Sequence, residues 1–539
     1  MKATYIDYSE TNSFSTGLIS YLEQDPGLAA FISYQPDIDG FKQLLSNKKV
    51  IADRQQLVSI LKEQYAGIEG NKVSDQTLVS DNVELLLKET TYTVTTGHQL
   101  NLFTGPLYFI FKIVTAINLA KELKANFPDK DFIPVYWMAT EDHDFEEINH
   151  TYIGGKKISW QHDAKGATGR IRTEELAAVV KEYTGILGIS ENAVELAKIV
   201  AAAYAQPTLA EATRHLVNAL FCDYGLVIID ADHPTLKKQF SDIIFRDITG
   251  QNSFQAISTT IEQLQSAGIH PQVNPREINF FYLKDSLRER IVYENDQYQV
   301  LNTDITFSEE ELKQDIASHP EHFSPNVVMR PLYQEVILPN VAYVGGGAEI
   351  IYWLELKSTF DYYQVDFPIL ILRNSALLDK GKSERAIEQI GLSPADLFKS
   401  AEELKKQWVL QHSEHTLNLA DEWQELKCLF ERIKLRTHKI DPTLSSSTEA
   451  VKARLQRAIN NLEKKLIRAE KRNYSDSLKR IDNLKESLFP QGGLQERIEN
   501  FGLFYASDGK EFINSLIKTF KPLDFKFTIL QKEKATSTY

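Results

Sequence analysis

The sequence predicts an α/β fold built on a parallel β-sheet, and three observations carry that prediction. Short apolar strands recur along the chain, at Tyr92–Thr96, Phe132–Ala139, Leu226–Asp230 and Pro368–Leu372. They are apolar or β-branched on both faces, as parallel strands covered by helices on both sides must be. Helical spacing fills the intervals: Leu107, Ile110, Phe111, Val114 and Ile117 follow the first strand, and Glu211–Phe221 and Glu349–Tyr362 precede the last two.

Taken in order, residues 1–90 read as short helical stretches, for example Arg54–Tyr65, wrapped around the later core. In a parallel sheet the ligand site forms at the carboxyl ends of the strands. That rule nominates Gly97–Gly105, Thr140–Glu147, Asp230–His233, Gly345–Glu349 and Arg373–Ser375. Within a core spanning 1–385, two excursions at about 151–208 and 251–325 read as insertions capping the site. The second holds a hairpin-like piece at Ile278–Val300.

Residues 386–488 differ in kind. Trp423, Leu426, Phe430 and Ile433, then Leu455, Ile459, Leu462 and Leu466, recur every three or four positions among charged residues. That is a coiled-coil seam on each of two helices. Asp441–Thr448 is the expected turn, giving antiparallel arms of about 45 residues and roughly 65–70 Å. A lone hairpin leaves apolar surface uncovered, so a second copy is expected to pack on it as a homodimer. The segment 489–539, with Phe525, Phe527 and Ile529, is expected to return to the core.

At 539 residues the chain exceeds one ordinary domain. Hydrophobic residues at 42% and charged residues at 25% give the balance of a globular protein, not a disordered or fibrous one. Sixty basic against 74 acidic residues leave a net charge of −14, which argues against a nucleic-acid partner needing a broad basic face. No run of about 18 or more apolar residues occurs, so no membrane partner is expected. The start, MKATYIDYSETNSF, has no apolar run behind its lysine and does not predict a signal peptide. Cys222, expected in the core, and Cys428, expected in the arm, cannot build a disulfide framework or a thiolate zinc site. A cytoplasmic protein is the simplest reading.

Thr96–Pro106 is the segment richest in chemistry. Gly97 allows a tight exit from the strand, and His98 and Gln99 sit where the sheet opens. Thr104, Gly105 and Pro106 open the next helix, whose free N–H groups and dipole suit an anion. Thr104 as N-cap and Pro106 as first helical residue is the purely structural alternative. The layout resembles the histidine-bearing strand-to-helix turn of class I nucleotidylyltransferases and synthetases. Glu141–Glu147 packs five carboxylates around His143 behind a buried strand. Such a cluster suits a divalent metal or a general base for an amine, against the alternative of a solvated loop capping a helix. No partner ligands at metal-like spacing accompany it, so no metal is predicted. Gly345–Gly347 lets the backbone approach a ligand closely, with Glu349 and Tyr352 behind it, but the lysine and hydroxyl of a phosphate-binding P-loop are missing. Arg330 and Arg373 suit bidentate carboxylate binding. Lys380-Gly381-Lys382-Ser383 is similar to the lysine-bearing mobile loop of class I synthetases.

One set of motifs runs through the chain in order. It comprises Gly97-His98-Gln99, Thr104–Tyr108 with Lys112, Trp137 with Glu141–Asp144 and Glu147–Asn149, Asn326–Val328 with Arg330-Pro331 and Gln334-Glu335, and Gly347 with Glu349 and Tyr352-Trp353. The set resembles the cysteine-adding enzymes of bacillithiol biosynthesis, with Gly97-His98-Gln99 standing where the family pattern has Gly-Gln-Gln. The resemblance implies a Rossmann-like core with two connecting-peptide insertions and a coiled coil used for dimerisation. It also implies a ligase that joins cysteine to glucosaminyl malate through an amide bond. Amide formation needs an activated carboxyl, commonly through ATP, so cysteine, glucosaminyl malate and ATP are the expected substrates. Glu147, His143, Asp142 and His98 are the expected catalytic residues, with Glu147 or His143 taking the amine proton. Gln99, Thr104, Gly105, Tyr108, Lys112, Trp137, Glu141, Asp144, Arg330, Gln334, Glu335, Gly347, Glu349, Tyr352 and Arg373 are expected to bind substrate or anionic groups. A nucleotidylyltransferase of the same fold and a non-enzymatic coiled-coil scaffold are the alternatives.

Overall fold

The computed structural model describes residues 2–66, 77–379, 381 and 383–532; Lys380 and Lys382 of the lysine-bearing segment lie outside the described residues. Two compact units result. The first comprises Ala3–Leu377 with Gly493–Ile529, and the second is built on Leu378–Gly492, so it begins before the expected 386.

The elements that build the site run in chain order through the first unit. Strand β1 (Thr91–His98) leads into helix α1 (Tyr108–Asn126), followed by β2 (Asp131–Met138) and β3 (Val227–Asp230). The 251–325 insertion carries β4 (Phe280–Lys284), β5 (Leu287–Glu294), β6 (Gln297–Val300), β7 (Thr306–Phe307) and β8 (Phe323–Pro325). Helix α2 (Arg330–Ile337), β9 (Asn340–Gly345), helix α3 (Gly347–Glu355) and β10 (Ile369–Leu372) complete the set. The core sheet has the order β10-β9-β1-β2-β3 with every pairing parallel. The insertion forms a separate five-stranded sheet, β7-β6-β5-β4-β8, antiparallel throughout.

Burial explains why these residues pair as they do. β1 is buried at every position except His98, and β9 and β10 along their whole length. The β-branched threonines of β1 keep their hydroxyls satisfied sideways. Thr93 and Thr95 both donate to Asn340 Oδ1, at 3.0 and 2.8 Å, and Thr96 donates to the Val344 carbonyl at 2.8 Å. Thr91, which opens the strand, is the exception: its buried hydroxyl has no hydrogen-bond partner among the described residues. α1 lays Ala116, Leu119, Ala120 and Leu123 over Val94, Val341, Val344, Ile369 and Ile371. Each of these leucines, valines and isoleucines contributes about 1.5–3 kcal/mol by leaving water. The returning tail strand, Lys526–Gln531, buries Phe527 and Ile529, and the Thr528 N–H donates to the Ser375 carbonyl at 2.9 Å.

The second unit departs from two uninterrupted arms. After a short helix, Glu384–Ile390, come Ala401–His412, Ala420–Ile440, Leu444–Asn473 and Ser475–Leu488. The 21 residues of Ala420–Ile440 reach about 32 Å. The first arm breaks at 413–419 because polar groups there bond across to the facing helix: Ser413 donates to Glu470 at 2.9 Å and the Leu419 N–H to Glu463 at 2.8 Å. The turn is also shorter than expected. Asp441 Oδ1 accepts from the Thr443 N–H and hydroxyl at 2.9 and 2.8 Å, and Ser445–Thr448 are already helical. Lys434–Glu449 and Lys452–Glu431, each 2.6 Å, fix the antiparallel pairing. Cys428 is exposed on the arm, and Cys222 is half-buried at a helix end rather than in the core. Among the described residues no helix is long and apolar enough to cross a membrane.

Candidate functional site

A cavity of about 960 Å³ opens where the five core strands end. All five nominated segments reach it, through Gly97–Gln99, Thr140–Asp142, Ala231–Asp232, Gly346–Glu349 and Arg373. The 251–325 insertion forms the opposite wall, with Phe280, Phe281, Arg288, Arg290 and Pro325 from its sheet and Arg276 and Ile278 from the segment ahead of it. A site between strand ends and a roof follows from the topology, because parallel crossovers leave their loops on one edge of the sheet.

One corner is built on the glycine turn. Gly345–Gly347 leads into α3, whose third residue Glu349 folds back to accept the Gly346 N–H at 2.8 Å. Tyr343 donates to the same carboxylate at 2.7 Å, and Lys112 on the first turn of α1 stands 2.5 Å from it. Burial pushes the Glu349 carboxyl up, but Lys112, the Gly346 N–H and Tyr343 together outweigh burial and hold it at about 2. Arg330 sits beneath in an aromatic cage, 5.8, 5.5 and 6.0 Å from the rings of Trp137, Tyr343 and Trp353, and donates to Gln334 at 3.0 Å.

The acidic corner is organised by a lysine far away in sequence. Lys237 is buried, ion-paired to Glu141, and 3.0 Å from Asp232. Asp232 also accepts from Arg170 at 2.8 Å. Burial raises both carboxyls, but Asp232 has two cations and is held below the ordinary range, whereas Glu141 shares one and is held above it. Two carboxyls with separated proton affinities are the arrangement that acid–base chemistry needs.

Gln99 bridges the other acids, donating to Asp142 Oδ2 at 2.6 Å and Glu147 Oε2 at 2.8 Å. Asp142 lines the cavity, but Glu147 is exposed and outside it. Asp144 caps the short helix Phe145–Ile148 by accepting the Glu147 N–H at 3.2 Å. His143 also lies outside the lining; its Nδ1 accepts from Arg288 Nη1 at 2.5 Å. Burial and that guanidinium push the His143 imidazole down, so it is a neutral ring whose basic nitrogen is occupied. His98 is neutral too: burial and then Lys112 bring it to about 3, and its Nδ1 accepts the Gln99 N–H at 2.9 Å. Its Nε2 is packed beside Tyr108 and Phe109 with no hydrogen-bond partner among the described residues.

Several expected binding residues are placed elsewhere. Thr104 and Gly105 do not line the cavity, and α1 starts only at Tyr108. The turn's amides are already used: Phe103 donates to Tyr204, Thr104 to the Asn101 carbonyl, Gly105 to the Leu102 carbonyl and Leu107 to the Glu499 carbonyl. No free N–H cluster is left there to hold an anion. Gln334 and Glu335 lie under the sheet, where Glu335 accepts from Gln334 at 2.9 Å and Asn340 at 2.6 Å and pairs with buried Lys48. Arg373 does line the cavity, but its guanidinium is committed to Glu496 at 2.7 Å. Tyr108, Lys112, Trp137, Gly347 and Tyr352 line it as well.

Lys237, Arg276, Arg288 and Arg290 were not singled out from the sequence, and Asp232 entered only within the nominated segment Asp230–His233. The available signal was Arg288-x-Arg290, two cations on one face of an amphipathic strand. One cluster of metal-ligating type occurs among the described residues: His319, Glu321 and His322, with donor atoms within 4.8 Å of one another, none of which lines the cavity.

Comparison with known proteins fits this architecture. A family model for the N-terminal Rossmann-like domain of bacillithiol biosynthesis BshC matches residues 1–374, and one for its C-terminal coiled-coil domain matches 376–532. A relative from Flavobacterium johnsoniae is 44% identical over 534 residues, covering 98% of this chain and all of its own. One from Cytophaga hutchinsonii is 38% identical over 522 residues, covering 96% and 97%. One from Bacillus cytotoxicus is 28% identical over 518 residues, covering 92% and 94%. All three are provisionally named cysteine ligase BshC. With both units matched and relatives aligned almost end to end, the chain belongs to the BshC family of bacillithiol biosynthesis.

Proposed function

We propose that the protein is an ATP-dependent ligase that joins the carboxyl of cysteine to the amine of glucosaminyl malate, the last step of bacillithiol biosynthesis. The observation that carries this reading is the family kinship along the whole chain, since the relatives' names specify a cysteine ligase. A carboxylate and an amine do not condense in water unaided, so the cysteine carboxyl must first be activated, and ATP is the expected donor. The cavity of about 960 Å³ suits more than one small substrate, since ordinary ligand sites run from about 300 to 1,000 Å³.

In this mechanism Glu141 is the general base. It lines the cavity and burial makes it more basic than an ordinary carboxylate, whereas Glu147 is exposed and spends its carboxylate on Gln99. The amine gives its proton to Glu141 and attacks the activated carboxyl carbon. The C–N bond forms as the leaving group departs with the electron pair of the broken C–O bond. Lys237 keeps Glu141 in place, and ionised Asp232 keeps Lys237 charged. Gln99 orients Asp142 at the edge of the same corner. We also read the protein as a cytoplasmic homodimer joined through the arm, on the strength of apolar arm residues such as Leu435, Val451 and Leu462 that the hairpin leaves exposed.

Complementation of a strain lacking this step, with thiol profiling by mass spectrometry, tests the reading. The wild-type gene should restore bacillithiol and deplete glucosaminyl malate. Failure to restore it at normal protein level sinks the ligase assignment.

A further inference from the structure

Two arginines on the roof of the cavity have no counter-ion among the described residues. β4 and β5 pair antiparallel, with Phe281 opposite Arg290 and Leu283 opposite Arg288. Strand alternation puts Arg288 and Arg290 on one face, and both reach the cavity along with Phe281. Arg288 is committed: it donates to Ser324 at 3.1 Å and to His143 at 2.5 Å, and its guanidinium lies 4.0 Å from the Phe281 ring centre. Arg290 and Arg276, by contrast, make no side-chain hydrogen bond or ion pair with any described residue. Across the cavity Lys112 and Arg373 are neutralised by Glu349 and Glu496, and Arg330 is held by Gln334 and its aromatic cage. Exposed Arg497 is the other lining cation without such a contact.

Positive charge without compensation therefore gathers on the roof, among the apolar groups Ile278, Phe280 and Phe281. Arg290 is half-buried and Arg276 is exposed, and a guanidinium partly removed from water gains most from a planar oxyanion that meets its fork. The location narrows the choice of ligand. Arg288 touches the acidic loop through His143, and Arg290 lies two residues, or about 6.6 Å, further along β5. A molecule whose amine faces Glu141 would lay its far end against Arg290.

We propose that Arg276 and Arg290 form the specificity clamp for a dicarboxylate carried by the amine-bearing acceptor, one carboxylate to each guanidinium. The proposal rests on the ligase reading and assigns the recognition of one substrate to the 251–325 insertion. The two arginines are binding residues and take no part in proton transfer.

Titration calorimetry on the full-length protein tests the clamp, with glucosaminyl malate, its dimethyl ester and ADP as separate probes. Arg290→Gln and Arg276→Gln should each weaken glucosaminyl malate by about 10- to 100-fold, the range of a lost charge-assisted hydrogen bond. Arg290→Lys, which keeps charge but not the fork, should fall between. Wild type should bind the dimethyl ester no better than the variants do, and ADP affinity should not change. Neither guanidinium has a partner among the described residues, so thermal midpoints should match wild type and exclude misfolding. Unchanged glucosaminyl malate affinity in both Gln variants overturns the clamp and leaves the ligase reading standing. Loss of ADP affinity instead overturns it in favour of a phosphate subsite. A wild-type protein that binds no glucosaminyl malate removes the ligase reading and the clamp together.

Discussion

Lys112 Nζ stands 2.5 Å from Glu349 Oε2 and 2.9 Å from the Gly97 carbonyl oxygen, so one buried ammonium joins α1, the end of β1 and the glycine turn. Removing one member of a buried pair strands the other charge, which costs about 3–5 kcal/mol. Lys112→Met should therefore lower unfolding stability by about that amount, and adding Glu349→Gln should recover part of the loss. Denaturant titration of both variants measures it. The sign with pH follows from the depressed Glu349 carboxyl. Its contribution is full above the unfolded value of about 4.5 and is lost as pH falls toward about 2.

Glu141 and Glu147 make opposite predictions. If Glu141 takes the amine proton, Glu141→Gln should lower kcat/KM by about 10²–10⁴-fold. Glu147→Gln keeps the bond geometry around Gln99 and should cost less than about tenfold. Because burial raises the Glu141 carboxyl, the wild-type rate should climb with pH to an inflection above the ordinary glutamate range and then level off. An inflection unchanged in Glu141→Gln assigns the base elsewhere.

The strand-end side of the site was legible because both-face burial leaves apolar runs such as Phe132–Ala139 in the sequence. Parallel topology then forces their following loops onto one edge, and Gly97, Glu141, Asp232 and Glu349 meet there. What stayed hidden was set by contacts remote in the chain. The Thr104–Gly105 turn reads as an open helix start, yet Asn500, 395 residues downstream, donates to the Gly105 carbonyl at 2.6 Å and neighbouring Glu499 takes the Leu107 amide. Lys237, which no sequence pattern singles out, is the buried centre of the acidic corner. Arg288 and Arg290 sit on a strand, Leu287–Glu294, whose polar alternation suits any exposed hairpin, and Arg276 lies in the irregular segment ahead of β4; only the fold shows that they reach the cavity. The arm was legible in its heptads but not in its length, since Ser413 and Leu419 end a helix by bonding across to Glu470 and Glu463.

Glu355 offers a stability test away from the chemistry. It closes α3, is fully buried, and accepts the amides of Gln272 at 2.7 Å and Val273 at 3.4 Å, just ahead of Arg276. Burial outweighs those two bonds and pushes its carboxyl up to about 7. The folded protein therefore binds a proton here that the unfolded chain releases above about 4.5. Stability should fall as pH rises from about 4.5 to about 7 and flatten beyond. Glu355→Gln should remove that slope in thermal unfolding measured across the range; an unchanged slope assigns it to another group.

The arm gives the last prediction. Within the hairpin, Trp423, Leu426, Ile459 and Leu466 are half-buried, so they hold the two helices together. Leu435, Val451, Leu455 and Leu462 stay exposed, Leu435 at 65% and Leu462 at 49%. Exposed leucines in a row on a charged hairpin are an uncovered seam, and patches of that kind mark association surfaces. A second copy laying the same face against this one would bury them isologously. Leu455→Glu with Leu462→Glu puts two charges into that contact while leaving the half-buried seam intact. Light scattering should then report a dimer for the wild type and a monomer for the double variant, with helix content by circular dichroism unchanged. Replacing about 390–486 by a short linker should have the same effect on mass. A double variant that stays dimeric rules out this face, and a deletion that stays dimeric moves the interface off the arm altogether.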